Sequence, residues 1–318
     1  RILRFEGHYG GWADDILGGW MKPDEEGRPC VSFEDRGLSP QEDPYQTHGR
    51  APNAADGIFM IPYNDFDALE ETFEKWHDEI AGVHFEGVNW DNNGLYPKPG
   101  YLERMRELCT KYDVVMSMDE IITGFRFGLG GAQELLGVIP DICTLGKAMG
   151  NMIPTACVAG KKEIMDVTRN GYVLCPGTYP GYGLGQMAVK TCIEMLARDD
   201  GAIYKRVRKL QEKLMNGMVE LSDKYDIPLT ITESQGVFST LFGIPGGIRR
   251  LYTKEDLKDF DNGIVTVFQQ YMQQNGIFIM YGGMVAMDED DQVVQHFYSE
   301  TVTVDDKKQI IKDYKGHE

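Results

Sequence analysis

No apolar run in this sequence approaches the roughly 20 residues that a membrane-spanning helix needs, so no membrane partner is expected. Basic residues are in short supply: 32 Lys and Arg stand against 50 Asp and Glu, a formal net charge of −18. Binding to nucleic acid through phosphates needs clustered Lys and Arg, so a nucleic-acid partner is also excluded. Histidine is scarce, and its spacing offers no metal site; no metal is expected. The cysteines, at 30, 109, 143, 157, 175 and 192, form no Cys-x-x-Cys pair, and several lie inside apolar runs. They read as buried free thiols of a reduced compartment rather than a disulfide framework. No signal-peptide pattern opens the chain, and the cytoplasm is the expected location. Internal repeats are missing. A dinucleotide fingerprint is missing too, because the glycines of 128–131 and 181–185 do not follow a strand and open a helix.

What is present is enough chain for one large or two medium domains: 318 residues, 42% of them hydrophobic. The pattern predicts a strand at Ile2–Phe5 and then the glycine-rich turn Gly7-His8-Tyr9-Gly10-Gly11. Residues 18–58, rich in Gly, Pro, Asp and Glu, show no period and read as a long loop, either a gate or a solvated acidic insertion. Asn64 or Asp65 caps a helix through Trp76, with Phe66, Leu69, Phe73 and Trp76 on one face. A strand follows over Gly82–Val88, then a loop to Pro99, an amphipathic helix over Tyr101–Tyr112, and strands at 114–118, 141–145 and Thr155–Ala159. Helices are expected from Lys161 and over Gly185–Leu196. Alternating strand and helix is the signature of a mostly parallel α/β sheet.

A change of domain is expected near Arg198–Gly201, giving a large α/β domain over 1–198 and a smaller α+β domain over 199–318. In the second, Ile203, Val207, Leu210, Leu214 and Leu221 mark a long helix. Strands at Leu229–Thr232, Val237–Phe242 and Ile277–Met280, a helix over Lys254–Gln274 and a last helix opened by Thr303 and Asp306 complete it.

Two strands each end on an ionisable residue. The run 114–118 stops at Asp119, and 141–145 stops at Gly146-Lys147. In open α/β sheets ligands bind outside the carboxyl ends of the strands, so an acid and a lysine there can face one ligand from two sides. Taken singly they say little: such an aspartate also binds Mg²⁺ or caps helices, and exposed lysines are ordinary. Together they suit pyridoxal 5′-phosphate, whose aldehyde forms a Schiff base with a lysine and whose ring nitrogen takes an Asp partner.

The segments Asp119-Glu120-Ile121-Ile122-Thr123-Gly124-Phe125-Arg126, Gly130-Gly131-Ala132-Gln133 and Thr144-Leu145-Gly146-Lys147 resemble the class III aminotransferases, most of all the glutamate-1-semialdehyde aminomutase branch. The resemblance implies the fold type I pyridoxal-phosphate transferase architecture and a homodimer with active sites at its interface. It implies roles by position: Lys147 for the aldehyde, Asp119 for the ring nitrogen, Tyr9 and Ile121 on the two ring faces, and Thr178 for the phosphate bound by the neighbouring subunit. Gly10 stands where the family usually has histidine. Trp90 replaces a usual glycine, and Asp91 an active-site Asn or Glu. Trp90 either shapes the substrate pocket or packs on its own loop. Arg126 either meets a substrate carboxylate or pairs with Glu120 or Glu134. The chain starts at Arg1 within a strand-like run, and the family implies further residues before it. The expected activity is transfer of an amino group between an amine or amino acid and a carbonyl compound. An intramolecular aminomutase is the alternative, and a non-catalytic relative or incomplete fragment is a third reading.

Overall fold

The fold is given by a computed structural model that describes residues 1–17, 19–32, 51, 53–151, 153–277, 284–287 and 293–296. The expected strand at Ile277–Met280 and the final helix from Thr303 fall, almost entirely, outside the described residues. The chain divides into two compact units, one holding Arg1–Ser32, Ala51–Lys213 and Ser234–Val237, the other including Leu214–Glu233 and the residues from Phe238 onward.

The first unit is built on an eight-stranded mixed sheet in the order β2-β3-β4-β1-β5-β6-β7-β8. Its strands are β1 (Ile2–Phe5), β2 (Trp20–Pro23), β3 (Pro29–Ser32), β4 (Ile58–Ile61), β5 (Gly82–Glu86), β6 (Val115–Glu120), β7 (Ile142–Leu145) and β8 (Cys157–Gly160). From β4 through β7 all neighbours are parallel; β8 returns antiparallel to β7. Parallel neighbours need crossovers. These carry α1 (Phe66–Trp76) between β4 and β5, α2 (Tyr101–Lys111) between β5 and β6, and α3 (Gly131–Leu136) between β6 and β7. Asp65 caps α1 by accepting the Ala68 N–H at 2.9 Å, and Leu69 and Phe73 are its buried stripe. Leu102, Met105, Leu108 and Cys109 do the same for α2. Phe5 meets Tyr63, Tyr101 and Phe85 edge-on, with centroids 5.4, 6.2 and 6.4 Å apart, a geometry that favours aromatic contacts.

The expected loop over 18–58 is in part a hairpin. β2 and β3 pair antiparallel around a turn in which Asp24 Oδ1 accepts the N–H groups of Glu26 and Arg28 at 2.9 Å and Gly27 takes φ +80°. Strands this short, with Pro at an end of each, leave too little alternation to be recognised. The cysteines are all free, but only Cys109 and Cys143 are buried; Cys157 and Cys175 are exposed, contrary to the expected buried thiols. Two further helices are α4 (Lys162–Arg169) and α5 (Gly183–Ala197). On α5 the expected inward residues Ala188, Val189, Cys192, Ile193 and Leu196 are half-buried, and only Gly185 is fully covered.

In the second unit β9 (Leu229–Thr232) lies between antiparallel β10 (Thr240–Phe242) and parallel β11 (Gly247–Arg249). Helix α6 (Ala202–Tyr225) forms as expected, its residues through Lys213 belonging to the first unit and those from Leu214 to the second. Its stripe Ile203, Val207, Leu210, Leu214 and Leu221 is exposed, however. The neighbouring face, with Met215, Met218 and Val219, joins Leu229, Ile231, Phe242 and Val265 in the core. The helix expected over Lys254–Gln274 is broken. Thr253 and Asp256 form a reciprocal cap on a short 3₁₀ turn, and Asp261 then caps α7 (Asn262–Gln274) by accepting the Ile264 N–H at 3.1 Å. Each cap satisfies first-turn donors, so the chain starts a helix twice. A separate hairpin pairs β12 (Met284–Met287) with β13 (Val293–His296). Among the described residues no helix is long and apolar enough to cross a membrane.

Asp141, just before β7, ties the amino ends of the strands together. Its carboxylate accepts Lys161 Nζ at 2.6 Å, the Met116 N–H at 2.7 Å and Arg106 Nη1 at 2.8 Å. Burial alone would raise its pKa, but the bonds from Lys161, Met116 and Arg106 outweigh that and hold it below the usual carboxylate range. A group with a depressed native pKa stabilises above its unfolded value and loses that contribution as pH falls through the native one. Asp141→Asn should cost about 2 kcal/mol near pH 7. Urea unfolding across pH should show that cost shrinking below about pH 4, where the unfolded carboxyl takes up a proton before the native one does.

Candidate active site

Parallel β5, β6 and β7 end on one edge of the sheet. The ladder fixes who meets whom: Glu86 is opposite Asp119, Asp119 opposite Thr144, and His84 opposite Ser117. Side chains alternate across a strand, so His84 and Glu86 share a face of β5 with Ser117 and Asp119 of β6. A cleft of about 1000 Å³ opens over that face and is lined by Tyr9, His84, Glu86, Asp91, Asp119 and Lys147, with Ile121 and other aliphatic side chains.

Asp119 is largely sheltered, its side chain 12% exposed. Its Oδ1 accepts the Ile121 N–H at 2.8 Å, and Oδ2 lies 3.7 Å from His84 Nε2. The other ring nitrogen of His84 is 3.0 Å from Ser117 Oγ. The carboxylate is therefore oriented from two sides, with Oδ2 left on the histidine side. Lys147 follows β7 directly, exposed, with φ +43°. A Cβ on the preceding Gly146 would come within 3.0 Å of Ile121 Cδ1, so the glycine lets Ile121 pack against the backbone that carries the lysine.

The cleft wall also holds an acid to which the sequence reading gave no role. Glu86 is 5% exposed, and both its oxygens are engaged: Oε1 accepts the Tyr9 N–H at 3.2 Å, and Oε2 the Trp90 N–H at 2.9 Å. Its own N–H donates to His8 Nδ1 at 2.9 Å. Burial first, then the charges of Asp91 and Asp119, push its pKa well above the usual range. Asp91 is also raised by burial, with Lys147 pulling it back. The period-two pairing of His84 and Glu86 with Ser117 and Asp119 was the signal that could have found both His84 and Glu86.

Glu120 is the neighbour of Asp119 and points the opposite way, fully buried. It accepts from Thr123 Oγ1 and from the N–H groups of Ala132 and Gln133, each at 2.9 Å. These are the first amides of α3, which have no partner within the helix. Gly131, at φ +65°, must be glycine because a Cβ would lie 2.6 Å from Glu120 Oε2. The Gly130-Gly131-Ala132-Gln133 motif is thus the receptor for a buried carboxylate.

That arrangement removes one expectation for Arg126. Glu120 is spent on α3, and Glu134 accepts the Gly130 N–H at 3.1 Å; Arg126 pairs with neither. Its Nε donates to the Ile122 carbonyl at 2.8 Å, and burial lowers its pKa. It does not line the cleft. Trp90 does not either: its ring lies over Gly94 and edge-on to Phe127 at 6.3 Å, the loop-packing alternative. Thr178 is exposed, away from the cleft walls. Gly10 has a physical reason: a Cβ there would meet Arg4 Nη2 at 2.7 Å, so the buried guanidinium occupies the space a histidine would need.

The sequence profile of the family described as aminotransferase class-III matches residues 43–245. Glutamate-1-semialdehyde 2,1-aminomutase of Polynucleobacter asymbioticus is 32% identical over 301 residues, covering 92% of this chain and 65% of that protein. Glutamate-1-semialdehyde 2,1-aminomutase 2 of Brevibacillus brevis is 31% identical over 299 residues, covering 91% and 65%. The chain thus spans 65% of the length of these curated relatives. Among solved structures, an omega-transaminase from Sphaerobacter thermophilus has a TM-score of 0.71 at 23% identity, covering 99% of this chain and 67% of that one. A glutamate-1-semialdehyde-aminomutase from Pseudomonas aeruginosa has a TM-score of 0.65 at 19% identity, covering 99% and 65%. These likenesses establish the fold as that of the fold type I transferases.

Replacing Glu120 leaves the α3 amides and Thr123 without their acceptor. Glu120→Ala should destabilise by about 3 kcal/mol, within the range for breaking a buried, charge-assisted set of hydrogen bonds. Glu120→Gln should cost less, since one acceptor oxygen remains. Denaturant unfolding of the two variants checks the order.

Proposed function

The chain belongs to the class-III aminotransferase family, and from that premise we propose that it transfers an amino group between an amine or amino-acid donor and a carbonyl acceptor, using pyridoxal 5′-phosphate. The observation that carries the reading is the convergence of Lys147 and Asp119, from two strand ends, on one cleft with Ile121 and Tyr9 on its walls. This amine and carboxylate are the donor set the cofactor's aldehyde and ring nitrogen require, so the residues present fit it.

When bound, the cofactor supplies an electron sink for the pair left as a substrate Cα–H bond breaks. Lys147 would hold its aldehyde carbon through Nζ. When free, the same Nζ would hold and move the proton of the substrate Cα, the work of a positioned base. Asp119 would keep a proton on the ring nitrogen by facing it as a carboxylate, and the Ile121 N–H and His84 hold that carboxylate in place. Tyr9 and Ile121 would keep the ring flat, and Asp91 stands at the cleft wall within the electrostatic reach of Lys147. Exposed Thr178 fits a role outside its own cleft, at the phosphate of a second copy in a homodimer. Arg126 and Trp90, off the cleft walls, remain assigned to substrate only through residues they support. We take 1–198 as the cofactor domain and 199–318 as the smaller domain of a cytoplasmic enzyme.

The second reading is an intramolecular aminomutase, favoured by the names of the curated relatives. Protein incubated with pyridoxal 5′-phosphate should turn yellow, and borohydride should fix the cofactor on Lys147, as read by peptide mass. Lys147→Met should abolish both. Asp119→Asn should lower kcat at least about a hundredfold, roughly 2.7 kcal/mol of barrier. Protein that stays colourless would sink the proposal in favour of a non-catalytic relative. With a semialdehyde or diamino substrate and no second carbonyl compound, a single stalled half-reaction marks the transaminase, and sustained isomerisation the mutase.

A further inference from the structure

Glu86 and Asp91 both line the wall of the cleft, and the amide that binds Glu86 Oε2 belongs to Trp90, the residue just before Asp91. Two carboxylates on one buried wall repel, and one proton held by the pair removes that repulsion. We propose that Glu86 and Asp91 share a single proton near neutral pH, and that this dyad sets the charge Lys147 meets in the cleft.

Local bonds hold Glu86 and the turn that carries Asp91 on one wall. Glu86 is pinned through both oxygens by the Tyr9 and Trp90 amides and is almost wholly out of water. Asp91 directly follows Trp90 in a short 3₁₀ turn, Trp90–Asn92, whose cap Asn89 accepts the Asn92 N–H at 3.0 Å. Neither acid is relieved by a cation in contact: among the described residues neither forms an ion pair. The charged and titratable groups facing the pair come from every neighbouring element. Asp119 on β6 adds a like charge, and Lys147 after β7 acts on Asp91 from a distance. His84 Nε2 is directed at Asp119. His8 accepts the Glu86 N–H at Nδ1 and so is neutral at that nitrogen. Tyr63, its hydroxyl donating to the Gly87 carbonyl, is pushed further from ionisation by burial, Tyr101 and Glu86. Among the described residues three carboxyls and one lysine line the cleft, and no arginine does. Holding one proton removes a buried like-charge repulsion, the usual outcome when two carboxyls share a site.

The consequence for catalysis rests on the cofactor role of Lys147. With the proton in place the dyad carries one negative charge instead of two. Asp91 and Glu86 are positioning residues in this scheme; they act through Lys147.

Infrared spectroscopy of the cofactor-free chain near pH 7 tests the dyad directly. One protonated-carboxyl C=O band, shifting in D₂O, is expected. Asp91→Asn supplies an amide donor to a Glu86 carboxylate, so the band should vanish in that variant and persist in Asp119→Asn. A second readout is stability against pH. A buried acid that keeps a proton the unfolded chain releases loses stability as pH rises above the unfolded value. Asp91→Asn should therefore gain on the unsubstituted protein as pH rises from about 5 to about 8 in denaturant titrations. Absence of the band, its survival in Asp91→Asn, or a stability difference that does not change with pH would overturn the dyad. Neither readout uses the cofactor, so a failed colour assay leaves the dyad standing, and a missing band leaves the aminotransferase reading standing.

Discussion

The parallel register of β5, β6 and β7 is the constraint on which the rest of this structure depends. It sets Glu86 beside Asp119 and Asp119 beside Thr144 at the one sheet edge where Lys147 also emerges. A slip of one residue on β6 would exchange Asp119 with Glu120, since side chains alternate across a strand. The acid now in the cleft would turn into the protein, and the acid that holds α3 would turn into the cleft. The hydrogen-bonded ladder is therefore part of the chemistry.

Two adjacent acids show how different environments give one residue type different work. Asp119 is oriented by a single amide and a histidine and stays open to the cleft. Glu120 has no exposure and is saturated by a helix start and a threonine. A third acid, Glu86, is 5% exposed and forms no ion pair among the described residues, and its charge is resisted by burial and by two neighbouring carboxyls. Acids in one small region are thus divided between orienting, anchoring and proton-holding roles by what each is bonded to.

Departures from the family pattern follow the same packing logic. Arg4 is buried under the turn after β1, and its guanidinium leaves room only for glycine at position 10. Trp90 uses its amide to fix Glu86 and its ring to cover Gly94, so the residue that replaces a usual glycine stabilises the loop bearing Asp91. The expected free choice of Arg126 between substrate and Glu120 does not arise, because the carboxylate was already taken by α3.

Much of the first unit could be read from residue order. Apolar runs ending in Asp119 and Lys147, helix stripes with Asp65 at a cap, and strand–helix alternation depend on local preferences that hold wherever the segment sits. The β2–β3 hairpin, the break before α7 and the exposed stripe of α6 escaped the same reading. Short strands with terminal prolines carry little periodicity, Asp261 as a cap resembles any helical acid, and an apolar stripe does not say which of its flanks a core will take. The sequence by itself determined the family, the sheet type and the placing of Asp119 and Lys147 at two strand ends. Only the tertiary structure decided that Glu86 and Asp119 share a face, that Glu120 faces inward and that Arg126 stands apart, because each depends on contacts between segments distant in the chain, and no local pattern encodes which partner arrives.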